Sequence, residues 1–116
     1  MTRDEELFSF LEFTEEQKRS FTHEEEHDLI VQYKHGDMEA LEKLVLAYLW
    51  TAPKVADTMC QSNNTTLSLR HVEEAVNSLR IAVEAFPMSG SVLEYAESVI
   101  AEKLQLMIHS EQIRFI

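Results

Sequence analysis

The feature that most restricts this chain is its shortage of breakers, two Gly and two Pro in 116 residues. Those are the residues that end helices and shape tight turns, so a chain this poor in them cannot supply the many turns of a sheet protein. Strict alternation of apolar and polar residues is also absent beyond a few positions, and with it the mark of half-buried strands. The expected fold class is therefore all-α, a compact bundle of about four to six helices. The length fits one domain, against a usual range of about 100–200 residues.

Caps and apolar stripes place the helices. Thr2 to Glu5 reads as a capping box opening a short helix that carries Leu7, Phe8, Phe10, Leu11 and Phe13. This acidic, aromatic segment, residues 1–20, is expected to pack on residues 21–116; a free arm awaiting a partner would seldom carry so much apolar surface. Thr22 and Glu25 form a second box before Leu29, Ile30 and Tyr33, and Gly36 supplies a left-handed stop. Asp37 caps the next helix, with Leu41, Leu44, Val45 and Tyr48 on one stripe. Pro53 predicts a kink or restart near Thr51, with apolar residues resuming from Val55 toward Met59. After a polar loop over 61–66, Leu69, Val72, Val76, Leu79, Val83 and Phe86 mark the best amphipathic helix. Pro87 to Gly90 breaks it, Ser91 and Glu94 form a third box, and Leu93, Ala96, Ile100, Leu104, Met107 and Ile108 line the last helix. The reading gives four main helices plus the N-terminal one.

Ten Lys and Arg face 21 Asp and Glu, a net charge of −11. A surface so acidic repels phosphates and anionic lipid and gains nothing from counterion release, so strong nucleic-acid or membrane binding is not expected. The longest apolar run, Leu44 to Trp50, is far short of the roughly 18 residues of a membrane span. A single cysteine, Cys60, permits no internal disulfide, and no basic, apolar and small-residue succession marks a leader. The expected compartment is the cytoplasm.

The motifs that carry chemistry elsewhere point to structure here. His23-Glu24-Glu25-Glu26-His27 matches the literal H-E-x-x-H zinc pattern. Zinc hydrolysis needs that pair buried on an apolar helix with a third ligand, whereas this string is a charged first turn. His35, His71 and His109 have no spacing that makes any of them a third ligand, and they read as surface or edge residues. Cys60 has no neighbour that would activate a thiolate. Gly36 and Gly90 stand alone, so no phosphate-cradling loop can be built. Trp50 and the Phe residues fall on helical stripes and read as core. No catalytic residue, metal or cofactor is expected.

The succession of elements is more specific. Glu25-Glu26-His27-Asp28-Leu29-Ile30 leads through Gly36-Asp37 to Ala40-Leu41 and Leu44-Val45. Later come Leu79, Ala82, Val83, Glu84 and Phe86, then Gly90, Tyr95-Ala96, Ile100 and Ile113-Arg114. From about His23 onward this order resembles the central helical region of the bacterial sigma-70 family, which binds the core of RNA polymerase and melts promoter DNA. In that family the Tyr-Ala helix continues with aromatic and basic residues that hold the separated strand. Here those positions carry Glu97, Ser98, Val99, Ala101 and Glu102, which offer neither stacking nor positive charge. The family's polymerase-contact segment aligns on residues 70–76, with Glu74 matching and Arg70 reversing a charge.

The resemblance thus implies a sigma region 2-like domain that has kept the fold and lost the DNA face. Its implied partner is the RNA polymerase core or a regulator that normally binds a sigma factor, such as an anti-sigma factor. The implied partner surface is the exposed side of the Leu69 to Phe86 helix, where Arg70, Glu73, Glu74, Asn77 and Arg80 share one face. The alternatives are a divergent sigma factor or fragment of one, and a helical adaptor unrelated to transcription. One outcome follows directly from charge and composition. A fluorescent promoter-like single strand titrated with the chain at physiological salt should show no saturable anisotropy change.

Overall fold

The computed structural model describes residues 2–113, and these form six α-helices with no strand among them. They are α1 (Arg3–Gln17), α2 (His23–Lys34), α3 (Met38–Tyr48), α4 (Thr51–Ser62), α5 (Leu69–Glu84) and α6 (Val92–Ile113). The all-α expectation holds, and the extra helix over the count read from the sequence arises at Pro53. Backbone dihedrals stay right-handed helical through Leu49 and Trp50. Pro53, buried in the first turn of α4, has no N–H to continue the ladder, and its ring crowds the carbonyl four residues back. The ladder is therefore interrupted between α3 and α4: the Ala52 amide turns to the Leu49 carbonyl, and the Thr51 hydroxyl donates to that of Tyr48.

The caps form as their residue types require. Thr2 accepts from the Glu5 amide at 3.2 Å, and Thr22 and Glu25 exchange bonds of 3.1 and 2.9 Å. The Thr22 contacts hold the Glu25 carboxyl below its usual range. Asp37 accepts from the Glu39 and Ala40 amides, and Ser91 from that of Glu94. Gly36 takes φ +101°, a left-handed conformation that side chains rarely adopt, so the α2 to α3 turn needs glycine there.

The core is a single cluster running through Ile30, Leu41, Leu44, Leu79, Val83, Ile100 and Leu104. α5 and α6 make the most extensive contact of any helix pair; α5 contributes Ala75, Ser78 and Ala82, all buried and small enough for close approach. α1 packs against α3 and α5, with Leu7 and Phe10 on the core. It is a packed helix, as its apolar content requires. No helix among the described residues is long and apolar enough to cross a membrane. Arg114, the last residue of the Ile113-Arg114 string, lies outside the described residues.

A buried carboxylate ties three of these helices together. Glu26 on α2 accepts from the Tyr48 hydroxyl on α3 and, at 3.3 Å, from the Val92 amide that opens α6. A carboxylate at the N-terminus of α6 meets the positive end of the helix dipole as well as its free amide. Burial, and then the hydrogen bond to Glu26, push the Tyr48 hydroxyl well above its ordinary pKa. Glu26→Ala leaves two buried donors unpaired at about 1–3 kcal/mol each, so urea unfolding should show a loss of about 3 kcal/mol. Tyr48 keeps its proton in the folded chain past pH 10, where the unfolded chain releases it, so its contribution is complete below that pH and declines above it. Wild-type stability should therefore fall more steeply above about pH 10 than that of Tyr48→Phe, measured by urea midpoints across the range.

Candidate functional site

α5 begins with a cap that its sequence disguises. Ser68 is the N-cap, and the third helical residue, where Glu or Gln usually closes the box, is His71. The Ser68 amide donates to His71 Nδ1 at 3.1 Å, and the Ser68 hydroxyl lies 2.8 Å from the same atom. Nδ1 must then carry the lone pair, which puts the ring proton on Nε2, facing Glu111 Oε2 of α6 at 3.4 Å. At 3% exposure His71 is a buried residue, which corrects its reading as a surface or edge position. The imidazole fills the gap between the start of α5 and the end of α6, a role that only their antiparallel packing creates.

The five residues expected to meet a partner do share the outer side of α5. Arg70, Glu73 and Asn77 are exposed, while Glu74 and Arg80 are half-buried. Glu73 and Asn77 border an open groove of about 400 Å³ whose other walls are Leu69, Val72, Val76 and, from α1, Phe10. Arg80 differs from the rest because its guanidinium is occupied. It donates to both carboxylate oxygens of Glu42 on α3, at 2.6 and 3.0 Å, a forked geometry that lowers the Glu42 pKa and raises that of Arg80. Val76, placed on the buried stripe by its spacing, is only half-buried, because it lines the groove.

One residue of this face escaped the sequence reading. Ile81 is 51% exposed and falls four residues from Asn77 and seven from Glu74, on their side of the helix. Its signal was an apolar residue two positions from both Leu79 and Val83, and so on the side of the helix away from their stripe.

The other candidates separate cleanly. His23 and His27 both face solvent on the first turns of α2, and the residue between them that turns inward is Glu26. Among the described residues no three His, Cys, Asp or Glu side chains gather closely enough to hold a metal ion. Cys60 is buried, and burial, followed by the nearby charges of Glu111 and Asp57, pushes its thiol pKa up and disfavours a thiolate. On α6, Ser98 and Glu102 are exposed while Val99 packs against the core. The aromatic expectation is revised at three places. Phe8 and Phe13 are 63% and 42% exposed, and Trp50 is half-buried with the ammonium groups of Lys18 and Lys54 at 4.2 and 5.2 Å from its ring centroid.

Comparisons with protein-family models, with curated proteins and with solved structures find no match.

The cap makes a measurable claim. His71→Ala removes the acceptor for the Ser68 amide, at a cost of about 1–2 kcal/mol. His71→Gln, which restores the usual box chemistry, should lose less, and thermal unfolding followed by circular dichroism ranks the two.

Proposed function

We propose that this domain is a sigma region 2-like protein-interaction module of transcription initiation. It binds the RNA polymerase core or a sigma-factor regulator through the outer face of α5, without strong DNA binding of its own. The observation that carries this reading is the character of that face. Ile81 stands exposed between Asn77 and Glu84, in line with Glu74, an apolar anchor on a polar and charged face. Glu73 and Asn77 lead from it into the groove beside Phe10. The sequence resemblance places the family's polymerase contact on this same helix. The Arg80 guanidinium, already bonded to Glu42, serves to set α5 against α3 and leaves the outer contact to its neighbours.

The reading favours a mimic that occupies a partner over a divergent sigma factor that melts DNA. Ser98 and Glu102 are the exposed positions of the α6 stretch in question, and neither can stack on a base. A net charge of −11 adds long-range repulsion toward any phosphate chain.

Capture of purified polymerase core, and separately of anti-sigma factors, by the immobilised domain tests this proposal. Glu73→Lys combined with Glu74→Lys should leave the circular dichroism unchanged and weaken capture by about 1–3 kcal/mol, roughly five- to 150-fold in Kd. Ile81→Asp should weaken it at least as much. Wild-type capture that neither variant alters would reject the α5 face.

A further inference from the structure

Cations are scarce in this chain, ten against 21 carboxylates, and each could find an acidic partner within it. Among the described Lys and Arg side chains only Arg80 forms an ion pair, with Glu42. Lys18 and Lys54 form none. Both instead approach the single Trp50 ring, Lys18 from the end of α1 and Lys54 from the first turn of α4. Between them runs an open groove of about 790 Å³, floored by Leu11, Pro53 and Leu67. Glu15 and Asp57 also line this groove, yet neither forms an ion pair with the lysines. Two like charges on one ring beside apolar walls make a site suited to a carboxylate with an apolar neighbour.

The matching surface is on the same helix. Asp4, Phe8, Leu11 and Glu15 of α1 and Lys18 at its C-cap recur every three or four residues, so they form one stripe. It is acidic at its start, carries the exposed Phe8 next, and ends at the Lys18 and Trp50 groove. Asp4 and Lys18 each lie seven residues from Leu11, about 10 Å along the helix in either direction.

We propose that this stripe is a self-complementary dimer surface on which two copies of the chain pair their α1 helices antiparallel about a two-fold axis at Leu11. That axis sets Asp4 of each copy against Lys18 of the other and lays each Phe8 toward the other's groove. A patch that holds both halves of a complementary contact is the requirement for an isologous interface. A long polyanion is the poorer occupant, because beyond these few cations it would run into a surface of net −11. The pairing is independent of the α5 face and leaves it open.

Sedimentation equilibrium of the full chain at about 100 μM, suited to a contact of modest area, tests the pairing. The wild type should sediment as a monomer–dimer mixture, with Trp50 emission shifting to the blue as concentration rises. Asp4→Lys and Lys18→Glu should each give monomer with unchanged circular dichroism, and an equimolar mixture of the two should recover the dimer mass, because each then supplies what the other lacks. Asp4 does not line the groove, so its variant tests the pairing without disturbing the Trp50 site. A wild type that stays monomeric, dimers that persist in either variant, or a mixture that fails to recover them would overturn the proposal. A monomeric wild type that binds a soluble acidic, phenylalanine-containing peptide would assign the groove to a different chain and equally exclude the second copy.

Discussion

The bundle depends on the Glu26 carboxylate, which is held inside it by donors from two other helices. Burying a charge is unfavourable unless hydrogen bonds compensate it, and here Tyr48 and the Val92 amide do so together. The three contributors are far apart in sequence, so the compensation exists only when α2, α3 and the start of α6 are docked. Removing one partner strands the others in a medium where an unpaired polar group is expensive. The interaction thus fixes one arrangement of the helices, a task that apolar contacts, which tolerate sliding, do less well.

From that junction α6 runs back along α5, and the two ends of the pair are finished differently. At one end the acceptor for the α6 amide comes from α2; at the other His71 caps its own helix and turns its second nitrogen to Glu111. With its inner side closed by α6, α5 presents a continuous outer side. α1 covers only one border of it, at Phe10, and Arg80 holds the opposite relation to α3 through Glu42. What remains open is a strip of mixed charge around Ile81.

Charge is distributed against the simple expectation for an acidic protein. An excess of carboxylates offers every cation a partner, yet among the described Lys and Arg side chains only Arg80 takes one, and Lys18 and Lys54 converge on Trp50. The break between α3 and α4, with Pro53 in the first turn of α4, accounts for this placement. It brings the first turn of α4 beside the end of α1, so that residues from two helices share one ring.

Much of the architecture was legible in the residues themselves. The paucity of Gly and Pro, the caps at Thr2, Thr22, Asp37 and Ser91, the stop at Gly36 and the stripes of α3, α5 and α6 are local properties, set by periodicity and by hydrogen bonds within a turn. They fixed the helices, most of the core and the outward direction of Arg70, Glu73 and Asn77. Tertiary packing decided the rest. Glu26 shares a stripe with Ile30 but shows its role only where Tyr48 and Val92 arrive. His71 is an ordinary polar residue until α6 closes over it, and Arg80 looks free until α3 delivers Glu42. Trp50 reads as core until the break between α3 and α4 leaves its ring beside two lysines. In each case the partner lies many residues away, and a linear sequence records which groups can bond but not which ones the fold brings within reach.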